Sequence, residues 1–159
     1  MMTMRGACRL LASLCMGMAL SGCTLPPRAE MVKEIKGYTL PADVTKGRGL
    51  IYVIAPPQGL LSSSGDVLLD GEDDAAIIGY VSSGTYIFFP VLPGYHRIKM
   101  PQWSPYEMVI EVEEGDIIFL QPVMGSGGHK NGLIQIDGVM GRYYVKHLKP
   151  GDLFMSVDH

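Results

Sequence analysis

Only one set of side chains in this 159-residue sequence has a spacing that points directly to a reaction, and it is Leu20-Ser21-Gly22-Cys23. A cysteine thiol can accept an acyl group, and this one follows a leucine and two small residues. Upstream, Arg5 and Arg9 provide a basic start, and residues 10–20 (Leu10, Leu11, Ala12, Leu14, Met16, Met18, Ala19, Leu20) form an apolar run too short to cross a bilayer. The segment reads as a targeting signal.

Other reactive groups have plainer readings. His96 shares a strand face with Ile98 and Met100 and has no partner at metal-ligand spacing, so a hydrogen-bonded, partly buried structural histidine is expected. The stretch Gly125-Ser126-Gly127-Gly128-His129-Lys130-Asn131-Gly132 is glycine-rich but lacks the Gly-Lys-Ser/Thr ending of a phosphate loop, and reads as a flexible hairpin connection. Asp70, Glu72, Asp73 and Asp74 crowd one turn, but not at the spacing of a calcium-binding EF-hand loop. Ser62, Ser63 and Ser64 sit in no Gly-x-Ser-x-Gly elbow. No catalytic residue, metal ligand or cofactor is expected among these groups.

The Leu-small-Gly-Cys pattern resembles the substrates of the bacterial lipoprotein maturation pathway, which implies cleavage between Gly22 and Cys23 and a multiply acylated Cys23 as the first mature residue. Each buried methylene contributes roughly 0.8 kcal/mol, so one acyl chain binds reversibly and two or more hold the protein at the membrane. Cys8 and Cys15 would leave with the signal, so the mature chain would have no pair of thiols for a disulfide. Thr24, rather than Asp, follows the cysteine, which in a Gram-negative cell implies an outer-membrane anchor facing the periplasm.

Removing 22 of the 159 residues leaves 137, enough for one domain. The mature chain carries 11 basic against 16 acidic residues, a net charge of -5 with His neutral. That balance argues against nucleic acid as a partner, and against binding an anionic membrane face by charge. The 20 Gly and 11 Pro lie mainly between apolar runs, as short strands joined by tight turns require.

Residues 23–48 read as a mostly extended, lipid-anchored tether, with a helical turn near residues 31–35 interrupted by Gly37 and Pro41. Strands are expected at 50–55, 67–70, 75–81, 85–89, 95–100, 107–113, 117–120, 132–136 and 142–148. The clearest alternation is in 107–113, where Met108, Ile110 and Val112 face inward. Glu107, Glu111 and Glu113 face outward, with Val109 the one apolar residue on that wet face. Likewise Tyr95, Arg97 and Lys99 share the outward face of their strand. The expected fold is an all-β, antiparallel β-sandwich of seven to nine strands spanning 49–159.

The order Leu50-Ile51-Tyr52-Val53, Val67-x-Leu69-Asp70-Gly71, Gly79, Gly84-Thr85-Tyr86, Pro93-Gly94-x-His96 and Glu114-Gly115-Asp116 resembles an uncharacterised bacterial lipoprotein domain. That domain is similar in strand plan to PEGA-like and transthyretin-like small sandwiches. The resemblance covers about residues 49–124 and departs at Ile117-Ile118, where the family commonly has an aromatic pair. It implies no catalytic residues. Trp103 and Tyr106 in a loop, and Tyr143 and Tyr144 in a late segment, are the candidate binding surface. The expectation is a non-catalytic, lipid-anchored envelope protein that contacts another envelope protein or a glycan. The alternatives are a structural assembly component and a hydrolase.

Overall fold

The computed structural model describes residues 25–57, 64–125 and 131–154. Gly22, Cys23, Ser62, Ser63 and His129 lie outside the described residues. Among the described residues, ten strands and two α-helices follow in chain order, with one 3-10 turn at Asp74–Ala76. They are α1 (Arg28–Glu34), β1 (Gly49–Ala55), β2 (Gly65–Leu69), β3 (Ile77–Val81), β4 (Thr85–Val91), β5 (Gly94–Lys99), β6 (Met108–Val112), β7 (Ile117–Val123), β8 (Gly132–Ile136), α2 (Gly138–His147), β9 (Lys149–Pro150) and β10 (Asp152–Leu153). Two five-stranded sheets result, ordered β8-β7-β1-β4-β9 and β10-β3-β2-β5-β6. The fold is an all-β sandwich.

β1 is the centre of the molecule because it is apolar on both faces. Ile51, Val53 and Ala55 point between the sheets, where they meet Val67, Val81, Phe89, Ile98, Val112 and Leu120. Leu50, Tyr52 and Ile54 point the other way, into a second core with Leu40, Tyr86, Phe119, Tyr144 and Val145. A strand with no polar face needs cover on both sides. Here one side is covered by the second sheet, and the other by a layer of helix and N-terminal chain. Each Ile, Val or Phe fully removed from water contributes roughly 1.5–3 kcal/mol.

Three expectations need correction. The sheets are not wholly antiparallel: β1 pairs in parallel with β7 and β4 with β9. A parallel pair needs a long crossover, supplied here by the chain through the second sheet.

The expected strand at 142–148 is helical and belongs to α2. Asp137 caps this helix, its Oδ1 accepting from the backbone N–H of Val139 at 2.9 Å and of Met140 at 3.3 Å. Lys146 and His147 fall in the last turn, where positive charge suits the helix dipole.

The stretch read as an extended tether is packed against the body. α1 buries Met31, and Tyr38, Leu40, Ala42 and Val44 lie along the second core.

Both sheets are closed on one side by the C-terminal chain. β9 pairs with β4 and β10 with β3. On the other side the outermost strands are β8 and β6, and the glutamates in and flanking β6 (Glu111 within it, Glu107 and Glu113 beside it) discourage pairing with a foreign strand.

Candidate interaction surface

The chain crosses from the first sheet to the second at Leu92-Pro93-Gly94, where Gly94 takes φ 140°, a conformation open to glycine. β5 and β6 then form an antiparallel ribbon at the edge of the second sheet. In its register Tyr95 lies opposite Glu111, Arg97 opposite Val109 and Ile98 opposite Met108. Strand alternation sends Ile98, Ile110 and Val112 into the core. It sends Tyr95, Arg97, Val109 and Glu111 to the outer face.

On that outer face Tyr95 is 71 % exposed and Val109 56 %, with Leu92 of the adjoining turn at 62 %. Tyr95 and Val109 are diagonal neighbours across the ribbon, a spacing within reach of an aromatic ring. Charges surround them: Glu111 beside Tyr95, and Arg97, whose Nη1 lies 3.9 Å from Glu107 Oε2. An aromatic and aliphatic centre with a charged rim is the composition of a recognition surface.

The support beneath this surface is polar. His96 Nδ1 lies 2.7 Å from Asp70 Oδ2, and His96 Nε2 lies 2.7 Å from the Leu92 carbonyl oxygen. Asp70 also accepts from the backbone N–H of Arg97 at 2.7 Å and holds φ 55° at the end of β2. Three segments are thereby fastened together: the β2 end, the Leu92 turn and β5. Burial opposes charge on His96, but the Leu92 carbonyl and the Asp70 carboxylate outweigh it and raise the imidazole pKa. For Asp70, burial acts upward and is outweighed by the Arg97 N–H and by His96, which hold the carboxyl below its ordinary value. With both ring nitrogens engaged, His96 has none left to act on a substrate. It is the hydrogen-bonded, partly buried histidine expected from the sequence.

The four aromatics singled out in the sequence do not form one surface. Trp103 is half-buried, and its indole N–H donates to the Val123 carbonyl at 3.3 Å. The neighbouring Ser104 is buried; its hydroxyl donates to the Asn131 carbonyl at 2.7 Å and accepts from the Tyr106 N–H at 3.1 Å. This loop is pinned to the β7–β8 connection. Tyr106 is exposed, at the opposite end of the hairpin from Tyr95.

Tyr143 and Tyr144 are on α2, where helical geometry replaces the expected division between opposite strand faces. Tyr144 is only 7 % exposed and belongs to the second core; Tyr143 is half-buried, its ring 4.3 Å from that of His147. Tyr95, Val109 and Leu92 were not picked from the sequence. The signal was there, since Val109 is the apolar exception on a wet face and Tyr95 shares its strand's outward face with Arg97 and Lys99. Among the described residues, no group of three or more His, Cys, Asp or Glu is arranged to hold a metal ion.

No family model, curated protein or solved structure matches this chain.

Proposed function

We propose that the protein is a lipid-anchored, non-catalytic module of the bacterial cell envelope that binds another envelope protein or a glycan through the outer face of β5 and β6. The observation that carries this reading is the exposed pair Tyr95 and Val109 on the second sheet, with Leu92 in the turn leading into it, whereas α1 packs on α2 and α2 on β1 and β7 of the first sheet. A binding module held at a membrane needs its recognition face turned away from the anchor. The engaged ring nitrogens of His96 support a non-catalytic reading, and the Leu20-Ser21-Gly22-Cys23 pattern supports the anchor. The order of turns supports kinship with PEGA-like and transthyretin-like lipoprotein sandwiches.

A photo-crosslinking residue placed at Tyr95 in the membrane-anchored protein tests the reading, with Asp43 as the control position. One recurrent adduct at Tyr95, absent at Asp43, is expected. Identical products at both positions, or none, would overturn the proposal. A ladder of the protein's own multiples would overturn it in favour of structural assembly.

A further inference from the structure

We infer that the layer formed by α1, the following chain and α2 is the membrane-facing side of the protein, docked on anionic phospholipid head groups. This rests on the reading of Cys23 as a lipid anchor and adds an orientation to it.

The first observation is distance. Leu25 is two residues from Cys23, so their Cα atoms can be no more than about 7 Å apart in any chain conformation. The chain from Leu25 onward is not a free spacer, because α1 is fastened to α2. Arg28 Nη1 meets Asp137 Oδ2 at 2.8 Å, His147 Nε2 meets Glu34 Oε2 at 3.1 Å, and the Lys146 ammonium donates to the Glu34 carbonyl. Acyl chains on Cys23 would therefore hold this layer, not a distant globule, against the bilayer.

The second observation is charge. Residues 25–48 and 137–147 together carry seven basic and four acidic residues, whereas residues 49–136 carry three basic and ten acidic. A net charge of -5 conceals this segregation. Within the layer Arg28 and Asp137 neutralise each other. Lys33 and Lys36 are exposed and have no ion pair among the described residues, while Glu30, Glu34 and Asp43 are the exposed acids that oppose them, Glu34 lying beside His147. An anionic surface attracts such a layer and repels the acidic sandwich behind it, which orients the molecule.

The third observation is apolar exposure beside the anchor: Leu25 is 50 % and Val32 47 % exposed. Val32, on α1 among basic neighbours, and Leu25, three residues before the helix, suit the boundary between head groups and acyl chains.

The test uses full-length, lipidated protein reconstituted into vesicles of phosphatidylcholine with phosphatidylglycerol. A fluorophore is attached at Val32→Cys or, for comparison, at Val109→Cys, and quenched by a lipid carrying a nitroxide at its head group. Several-fold stronger quenching at position 32 than at 109 is expected. It should fall towards the value at 109 in the Lys33→Glu/Lys36→Glu background and on vesicles of phosphatidylcholine alone. Equal quenching at both positions in protein that floats with the vesicles would overturn the orientation and leave the anchor intact. Quenching at 32 that ignores the anionic lipid would overturn it equally. Protein that fails to float would remove the anchor, and this inference with it.

Discussion

His96 and Asp70 are joined at 2.7 Å in a geometry that a doubly protonated imidazole beside an ionised carboxylate satisfies at both ring nitrogens, the other nitrogen facing the Leu92 carbonyl. The pair therefore makes stability depend on pH from both sides. His96 has a raised pKa, so its contribution is complete below the ordinary value of about 6.5 and is lost as pH rises through the folded value. Asp70 has a lowered pKa, so its contribution is complete above about 3.8 and is lost as pH falls through its folded value. The pair should stabilise the fold most between roughly pH 4 and 6.5. Thermal melts across pH should show His96→Gln costing about 1 kcal/mol in that window. The cost should shrink at alkaline pH, where the wild type has also lost the interaction; one that does not vary with pH would contradict the assignment.

A second expectation concerns the seat of α2. At Gly141 an added Cβ would approach three ring carbons of Phe119 to under 3.0 Å, and Phe119 is buried in the second core. Alanine would gain about 1 kcal/mol in helix propensity, but forcing the ring aside costs about 1–3 kcal/mol. Gly141→Ala should therefore lower the urea midpoint. A raised midpoint would mean that the helix does not rest on Phe119.

Tyr52 offers a test of opposite sign. Its side chain is fully buried, its ring stacks 5.2 Å from Phe119, and its hydroxyl nears the backbone of Ala42 without a hydrogen bond of normal geometry. Burial pushes its pKa up to about 12, only partly offset by Ala42. An unsatisfied buried hydroxyl is a net cost, so Tyr52→Phe should leave stability unchanged or raise it by about 1 kcal/mol. A loss of that size in chemical denaturation would mean that the hydroxyl has a partner.

Much of this arrangement could be read from the sequence, and what could not has definite causes. The wet and dry faces of β6 follow from the alternation of glutamates with Met108, Ile110 and Val112. The antiparallel return of β3 onto β2 is legible from the turn residues after Leu69, although the connection is longer than an Asp-Gly turn, running through residues 70–76 with a 3-10 turn at Asp74–Ala76. The helical assignment of residues 138–147 was obscured by the β-prone Tyr143-Tyr144-Val145. The spacing of Gly141, Tyr144, Val145 and Leu148 is helical, and Asp137 is a capping residue. In the presumed tether, Gly37 and Pro41 limit helix but do not prevent burial. The period-two series Tyr38, Leu40, Ala42, Val44 lies against the second core. The parallel pairing of β1 with β7 joins residues more than sixty positions apart, beyond any local pattern. The same holds for the surface: Tyr95 and Val109 become one patch only through the register of β5 and β6.

That patch should matter for binding and not for folding. Tyr95→Ala with Val109→Ser removes exposed side chains, so stability should change by no more than about 0.5 kcal/mol. Capture of the crosslinked partner should nevertheless be lost. A clear drop in melting temperature would assign the two side chains to the fold instead.

The central claim is that a lipid on one sulfur holds this sandwich in the envelope, and membrane fractionation of Cys23→Ala beside the wild type tests it most directly. The wild type should sediment with membranes and have a mature N-terminal mass heavier by its acyl chains. The variant should lose both the added mass and the membrane association. A variant that sediments and matures like the wild type would contradict the account.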